Sequence, residues 1–359
     1  MRVLMVTNMF PSETNPVFGV FVARQLDAIR ERGVAVELVA NRDARGGISA
    51  LRKYASLLLR AVGASLRHRP DVVVGHFLYP TAWIARIAAR LVHAPYVVVA
   101  HGTDVVSAGG PGFLARRTRD AFVRADGVVA VSHALAGRLH DELGLSADTP
   151  VHVIHMGVDL ALFRPDAVAR ESLGWSPKDR VVVFVGNLVP VKGPDVLLDA
   201  FRSLHAGGGV DRLVYVGDGS MAETLRARTR EFGLDDVVTF AGRLDGSGVA
   251  ARLAAADVVA MPSRNEGLGL VAIEAMACGT PVVVSRVGGV PEVFPGRACG
   301  AFVEPDDPRA LATALSEVLG NGKERYSAAC VSAAALHDVK LKAEEFVAVL
   351  EEVGHRVRP

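Results

Sequence analysis

Short apolar runs and longer amphipathic stretches alternate along the whole chain. Six valine-rich runs in the first half lack in/out alternation, which is typical of parallel strands buried on both faces: RVLMVTN, VAVELVA, DVVVGHF, PYVVVAHG, GVVAVS and VHVIHMG. The second half repeats the pattern with RVVVFVGN, RLVYVGDG, VVTFAG, DVVAMPS, TPVVVSR and GAFVEP. Stretches such as GVFVARQLDAIRERG, which ends at a glycine, predict the intervening helices. This alternation predicts an α/β protein with two doubly wound parallel sheets.

A segment without a strand pattern separates the two series. It begins at Asp159 and reads DLALFRPDAVARESLGWSPKD, with two prolines. We therefore predict a first Rossmann-like domain over residues 1–165 and a second over 166–338. The remainder, 339–359, is predicted to contain a helix over Lys340–Val353 that returns to the first domain.

Composition narrows the class of protein. A chain of 359 residues, half hydrophobic and 22% charged, suits two soluble globular domains. No apolar run reaches the roughly 18 residues of a membrane span, and Met1 runs directly into a strand pattern rather than a signal peptide. Three cysteines without metal-ligand spacing indicate reduced thiols. We therefore expect a cytoplasmic protein.

The charge is unevenly distributed between the halves. Residues 1–165 carry 19 Lys/Arg and 13 Asp/Glu, whereas the remaining residues carry 21 and 26. A basic half beside an acidic half indicates different tasks for the two domains. In such folds ligands bind beyond the carboxyl ends of the strands, so the segments that follow each strand are the ones to search.

The segment GNLVPVKG follows a predicted strand of the second domain. It places Lys192 in a loop, and Gly193 and Pro194 then open a helix, since proline suits a first helical turn. A lysine beside a helix N-terminus is a good phosphate site. The alternative is a solvated lysine in a turn.

The segment NEGLGLVAIEAMACGTPVV carries two glutamates around a glycine-rich helix start. Glu266 lies in the loop, Gly267 and Gly269 allow close approach of backbone N–H groups, and the helix is predicted over Leu268–Ala277. Glu274 falls on its second turn. Carboxylates at two heights suit two sets of sugar hydroxyls, with a diphosphate at the helix start. The alternative is one glutamate favoured by the helix dipole and one on the surface.

The first domain offers a weaker constellation. HGTD places His101 and Asp104 beyond a strand, where both would reach a ligand. Gly19 precedes a helix and is a candidate for phosphate approach. The GxGxxG fingerprint is absent, as are the Walker lysine, GxSxG and HExxH motifs, which argues against a nicotinamide enzyme and several hydrolase classes.

Taken together, these segments resemble the retaining GT-B glycosyltransferases of family four. Glu266 to Pro281 matches that family's E-x7-E motif with its downstream EAMACGTPVV, and VKG, VGDG, HGTD and GGVPE follow in the family's order. The resemblance implies two Rossmann-like domains that face each other across a cleft. It also implies transfer of a hexosyl unit from a nucleotide sugar, with UDP favoured over GDP and with retention of anomeric configuration.

The resemblance further implies residue roles. Glu274 would bind the ribose and Glu266 the transferred sugar, while Lys192 would neutralise the leaving diphosphate. The remaining donor contacts implied are the backbone of Gly267, Leu268 and Gly269 together with Gly19, Asn187 and Arg243. His101 and Asp104 would lie on the acceptor side, with His101 near the donor sugar. No metal or other cofactor and no nucleic acid is expected.

Two positions depart from the family pattern. Asn187 stands where many members carry an arginine that shares the diphosphate charge, so we expect either a substitute cation, with Arg264 as the candidate, or weaker stabilisation. Met156 replaces the usual asparagine before GVD. Alternatives of the same architecture are a phosphorylase or an epimerase. A non-catalytic nucleotide-sugar-binding auxiliary protein is a further alternative, which Asn187 favours.

The acceptor is the least specified partner. A cell-envelope or lipid-linked glycan of polysaccharide biosynthesis and a soluble natural product both fit the sequence. If RKYASLLLRAVGASLRHRP is helical, Lys53, Arg60 and Arg67 recur every seven residues beside leucines. Such a face would suit peripheral contact with anionic lipids at the inner side of the membrane. The alternative is an ordinary solvated helix face.

Overall fold

The computed structural model describes residues 1–13, 15, 18–42, 48–102, 105, 110, 112–146 and 149–357. It divides into two compact units: Met1–Gly157 with Val339–Pro359, and Val158–Asp338. Residues 158–165 group with the second unit, eight residues earlier than the predicted boundary. The reason is local, because the Val158 amide donates to the His337 carbonyl at 2.8 Å and Phe163 is fully buried within the second unit.

The first unit is a six-stranded parallel sheet with the order β2-β1-β3-β4-β5-β6. Its strands are β1 Arg2–Thr7, β2 Ala35–Ala40, β3 Val72–His76, β4 Tyr96–Ala100, β5 Gly127–Ala130 and β6 Val151–Val153. Its helices within the described residues are α1 Val20–Glu31, α2 Ile48–His68, α3 Thr81–Arg90, α4 Phe113–Val123, α5 His133–Leu143 and, from the end of the chain, α14 Val339–Val357.

The second unit is another six-stranded parallel sheet, with the order β12-β11-β10-β7-β8-β9. Its strands are β7 Val181–Val185, β8 Arg212–Val216, β9 Val238–Gly242, β10 Val258–Met261, β11 Val282–Ser285 and β12 Gly300–Val303. Its helices are α6 Ala169–Ser172, α7 Pro194–Ala206, α8 Ala222–Glu231, α9 Gly246–Ala255, α10 Leu270–Ala277, α11 Val290–Val293, α12 Pro308–Asn321 and α13 Glu324–Ala335, with 3-10 turns at Pro190–Lys192 and Gly296–Ala298.

Each of the twelve predicted strands is present in the part of the chain that the structure describes. The valine-rich runs form strands because both faces are covered by helices: every residue of β3, β4, β5, β10 and β11 is buried. The last helix, α14, starts one residue before its prediction and extends four residues further. Its Phe346 and Leu350 are fully buried in one cluster with Val3 and Met5 of β1.

The strand orders determine which loops lie side by side. In the second unit β7 and β10 are neighbours, so the loops that carry Lys192 and Glu266 leave the same edge of the sheet. In the first unit β3 and β4 are neighbours, which brings the residues after His76 and Ala100 together. Among the described residues no helix is long and apolar enough to span a membrane.

Candidate functional site

Lys192 and Glu266 of the second unit form an ion pair. The Lys192 Nζ donates to the Glu266 Oε1 at 2.7 Å, and the Ser263 hydroxyl donates to the same oxygen at 2.8 Å. The Glu266 side chain is 10% exposed and the Lys192 side chain 30%. The ammonium of Lys192 is thus the more exposed partner of this charge-assisted pair.

Glycines bring the two loops into contact. At Gly193, whose φ is +63°, a Cβ atom would overlap the carbonyl oxygen of Pro262, so the loop after β7 lies directly on the loop after β10. At Gly288, whose φ is +50°, a Cβ atom would overlap the carbonyl oxygen of Glu266. Only glycine fits at both positions, and together they fix where Lys192 and Glu266 lie.

Arg264 is held in place by carboxylates of the same unit. Its two terminal nitrogens donate to Asp195 at 3.0 and 2.8 Å, and its Nε donates to Asp306 at 2.7 Å. It also donates to the Pro190 carbonyl, while its amide donates to the Val191 carbonyl at 2.8 Å. Hydrogen bonding to Asp195 raises the pKa of the Arg264 guanidinium.

This arrangement bears on the expectation that Arg264 substitutes for the cation missing at position 187. Two carboxylates, of Asp195 and Asp306, contact the guanidinium of Arg264, whereas Lys192 contacts the single carboxylate of Glu266. Substitution of Arg264 for the missing cation stays a prediction. The contacts of Arg264 tie the 3-10 turn Pro190–Lys192 to the loop after β10 and to the first turn of α7. Arg264 therefore supports the position of Lys192.

Glu274 is a buried carboxylate inside α10. Its exposed fraction is 8%, so the alternative of a surface glutamate is wrong. The helix begins at Leu270, two residues later than predicted, because Gly269 adopts a left-handed conformation as its N-cap. Leu268 is buried before the helix, so its side chain serves packing. The positive end of the α10 dipole lies at Gly269, and a helix N-terminus is in general a favourable place for an anion.

The other predicted donor residues of the second unit lie on the surface. Asn187 follows β7 and Arg243 follows β9, and both side chains are exposed. Gly186 packs on Gly217, where a Cβ atom would overlap the Gly186 carbonyl oxygen. The VGDG segment therefore supports the backbone beside Asn187.

In the first unit, Gly19 and His101 lie on separate segments. Gly19 is the N-cap of α1, and a Cβ atom there would lie 2.6 Å from the Met9 carbonyl oxygen. His101 follows β4, and its ring packs at a tilt against two aromatic rings, with centroids 4.4 Å from Phe77 and 5.2 Å from Phe21. Asp104 lies outside the described residues.

A second histidine, which sequence reasoning did not select, contacts His101. The Nδ1 of His76 lies 3.2 Å from the Nε2 of His101, with ring planes 22° apart. Burial lowers the pKa of His76 to about 3, and burial also lowers the pKa of His101 well below its usual range. Both imidazoles are therefore neutral at pH 7. The sequence VVVGH marks His76 as the end of a strand, but it does not show that this strand lies beside PYVVVA.

Within the described residues, His, Cys, Asp and Glu side chains nowhere gather in threes that would hold a metal ion. The three cysteines at 278, 299 and 330 are buried thiols. Burial raises the pKa of Cys278 to about 12, so this thiol is protonated at pH 7.

Comparison with known proteins identifies both halves of the chain. Residues 19–162 match the family model described as Glycosyltransferase Family 4, and residues 166–334 match the model described as Glycosyl transferases group 1. D-inositol 3-phosphate glycosyltransferase of Mycolicibacterium gilvum is 35% identical over 293 residues, which cover 76% of this chain and 64% of that protein. The protein of the same name from Segniliparus rotundus is 36% identical over 244 residues, covering 65% and 54%. The chain thus spans less than two thirds of these relatives.

Solved structures agree on the fold. Sucrose-phosphate synthase from Thermosynechococcus elongatus superposes with a TM-score of 0.78 at 21% identity over 98% of each chain. The Anabaena protein HepE in complex with UDP-glucose gives 0.77 at 21% identity, over 98% of this chain and 100% of that one. At such identities the likeness shows the fold alone, and it confirms the predicted α/β class with two doubly wound parallel sheets.

Proposed function

The chain belongs to the glycosyltransferases of family four, and on that basis we propose that it transfers a hexosyl unit from a nucleoside-diphosphate sugar to an acceptor hydroxyl. The observation that carries the proposal is the joined set of Lys192, Glu266 and Ser263 beside the glycine-rich start of α10. It combines a cation, a buried acceptor of hydrogen bonds and a helix N-terminus. Those are the groups that a sugar diphosphate requires.

On this proposal each donor-binding group has a distinct task. Lys192 exchanges Glu266 for the diphosphate, which carries more negative charge, and Glu266 then accepts hydrogen bonds from the sugar hydroxyls. Backbone N–H groups of Gly267 and Gly269 face the sugar and its phosphate, and the buried Glu274 accepts from the ribose. We propose UDP as the nucleotide, because HepE was solved in complex with UDP-glucose.

The proposed reaction proceeds with retention. The bond between the anomeric carbon and the diphosphate oxygen breaks, and the acceptor hydroxyl forms the new bond on the same face. The hydroxyl proton passes to the departing phosphate, so neither glutamate has to serve as a base. Gly19, His101 and Asp104 of the first unit are the proposed phosphate and acceptor-side residues. We propose that Lys192 and backbone amides stabilise the leaving group and that no metal is needed.

For the acceptor, the relatives favour one class for the first test. They are named D-inositol 3-phosphate glycosyltransferases, so we propose a small polyol phosphate as the first soluble acceptor to test. A lipid-linked or cell-envelope glycan is the other class. Incubation of UDP-glucose with each class, followed by NMR of the product's anomeric proton, measures transfer and retention together. An inverted product would overturn the retaining mechanism.

A lipid-linked acceptor fits one surface of the first unit. Helix α2, Ile48–His68, contains no Asp or Glu, and its exposed side includes Leu59 and Leu66, at 72% and 53% exposure, next to Arg60 and Arg67. Apolar side chains between arginines are suited to an anionic lipid surface, where each cation contributes about 1 kcal/mol. We propose peripheral contact of this helix with the inner face of the cell membrane.

Vesicle binding tests that contact. The protein should bind vesicles that contain phosphatidylglycerol, not pure phosphatidylcholine, and salt should weaken binding. Leu59→Ser/Leu66→Ser should reduce affinity by about tenfold or more, since buried leucine area is lost. The matched control is Leu91→Ser/Leu336→Ser, at 48% and 66% exposure elsewhere on the surface. Equal loss in both double variants would contradict a specific role for α2.

The donor assignment has its own test. Calorimetric titration with UDP, GDP, ADP and TDP should show one preferred nucleotide, and Glu274→Gln should weaken it because an acceptor for the ribose hydroxyls is lost. A phosphorylase would instead turn over with inorganic phosphate and no nucleotide. The second alternative, which Asn187 favours, is a non-catalytic auxiliary protein. Such a protein would bind the donor without transfer to any acceptor. Absence of binding by all four nucleotides would contradict the proposed function.

A further inference from the structure

His76 is a fully buried polar residue to which no role has yet been given. It is the last residue of β3, its exposed fraction is 0%, and its Nδ1 lies 3.2 Å from the Nε2 of His101. Its other ring nitrogen, Nε2, has no hydrogen-bond partner among the residues described. When a buried histidine has a single hydrogen-bond partner, that partner determines which ring nitrogen carries the proton.

The backbone leaves the two rings little freedom. Strand β3 pairs with β4 in a register that places His76 opposite Val99, two residues before His101. The next residue, Phe77, has φ of +68°, which is strained for a bulky side chain, and its amide donates to the Val99 carbonyl at 2.9 Å. In that conformation the Phe77 ring packs at a tilt of 38° against the ring of His101, with the centroids 4.4 Å apart.

The contact between the rings requires one donor and one acceptor. Both imidazoles lie among the rings of Phe21, Phe77 and Phe346, where a charged form is costly, so each is neutral and carries one proton. If His101 donated from Nε2, the proton of His76 would lie on its Nε2 as a buried donor without a partner. If His76 instead donates from its Nδ1, its Nε2 carries no proton and only a lone pair is left without a partner. Orphaned buried N–H groups are the rarer of the two in proteins.

We propose that His76 is a positioning residue that donates its Nδ1–H to the Nε2 of His101 and thereby fixes the orientation of His101 and its Nδ1-protonated tautomer. The catalytic consequence rests on the proposed glycosyl transfer. With its Nε2 already accepting a hydrogen bond, His101 cannot take the acceptor's proton at that atom. His101 then acts as a neutral polar group in a fixed orientation, and the departing phosphate remains the proton acceptor.

Two substitutions separate a hydrogen-bonding role from simple filling of space. His76→Asn keeps an N–H near the place of the imidazole Nδ1, whereas His76→Leu fills the cavity without a donor. NMR of protein labelled with ¹⁵N-histidine reads which ring nitrogen of His101 is protonated. We expect protonated Nδ1 in the parent and in His76→Asn, and a mixture of tautomers in His76→Leu. Once a donor and acceptor are known, His76→Leu should lower kcat by up to about 100-fold, with the donor KM little changed.

Clear outcomes would overturn the proposal. Protonation of the His101 Nε2 in the parent would do so without any variant, so a variant that fails to fold leaves the test intact. An unchanged tautomer in a folded His76→Leu protein would also do so. Nucleotide titration separates the proposed glycosyl transfer from the proposed role of His76. A parent that binds no nucleotide contradicts the transfer, whereas the tautomer of His101 is measured without any nucleotide.

Discussion

At the carboxyl ends of β7 and β10, the second unit carries ionised side chains that are bonded to each other. At the carboxyl ends of β3 and β4, the first unit carries two neutral histidines among phenylalanine rings. Both units are six-stranded parallel sheets covered by helices, so the difference lies in the loops and not in the architecture. Two sheets of the same architecture therefore carry a charged site in the second unit and an uncharged, aromatic site in the first unit.

The difference shows how each unit keeps polar groups buried. In the second unit, partial burial of charged side chains is tolerated through ion pairs: Lys192 meets Glu266, and Arg264 meets Asp195 and Asp306. In the first unit burial suppresses charge altogether, and the histidines share one hydrogen bond. On the proposed function, the ion pair of the second unit exchanges partners when a diphosphate binds, whereas the histidine pair of the first unit holds a fixed geometry.

The largest expected effect concerns the backbone that places Glu266. Gly288→Ala should destabilise the second unit by about 3 kcal/mol or more, because the new Cβ atom overlaps the Glu266 carbonyl oxygen. Gly233→Ala is the matched control: its φ of +65° is similar, but nothing lies within 4 Å of the added atom. It should cost only about 1–2 kcal/mol, the penalty of a left-handed alanine. Urea unfolding measures both, and equal losses would contradict the close approach.

Acid should destabilise the first unit through its histidines. The folded pKa of His76, about 3, lies below its ordinary value of 6.5, so the unfolded chain binds the proton more readily between these values. The contribution of His76 to the free energy of unfolding is therefore complete above pH 6.5, and it falls by about 1.4 kcal/mol per pH unit as the pH decreases towards 3. His101 has a lowered pKa and adds in the same direction.

The two tryptophans make that loss measurable in one unit. Trp83 lies in α3 of the first unit and Trp175 in the second, so Trp175→Phe leaves fluorescence that reports on the first unit alone. Urea unfolding of this variant at pH 7.0 and 5.0 should show the loss, and adding His76→Leu should reduce it. If His76→Leu loses stability between these pH values as steeply as its parent, burial of neutral His76 is not the cause.

A smaller effect is expected from the contact between Arg264 and Asp195, which holds the 3-10 turn Pro190–Lys192 in place. Arg264→Gln and Asp195→Asn should each weaken UDP binding by roughly 3- to 10-fold, since both remove the charge-assisted contact between these two side chains. The double variant should be little worse than Arg264→Gln, because Arg264→Gln already removes the contact with Asp195. Asp199→Asn, four residues along α7 and paired with Arg228 at 2.6 Å, is the control and should leave UDP affinity unchanged. Additive losses of UDP affinity in the double variant would contradict a role for this shared contact.

Local patterns in the sequence were sufficient for the strands and for part of the site. Valine-rich runs predict buried parallel strands, and the glycines around Glu266 predict a loop that opens a helix. The partner of His101 and the neutralisation of Arg264 were not predictable in this way. Both depend on which strands are neighbours and on residues such as Asp306 that are distant in sequence, so they require the folded structure.

The central claim is that the second unit binds the diphosphate of a nucleotide through Lys192. Calorimetric titration of the parent, Lys192→Ala and Lys178→Ala with UDP and with uridine tests it most directly, since Lys178 is an exposed lysine of the same unit away from the site. We predict that Lys192→Ala weakens UDP by roughly 10- to 100-fold, leaves the weaker binding of uridine unchanged, and that Lys178→Ala resembles the parent. Equal affinity of the parent and Lys192→Ala for UDP would contradict the account.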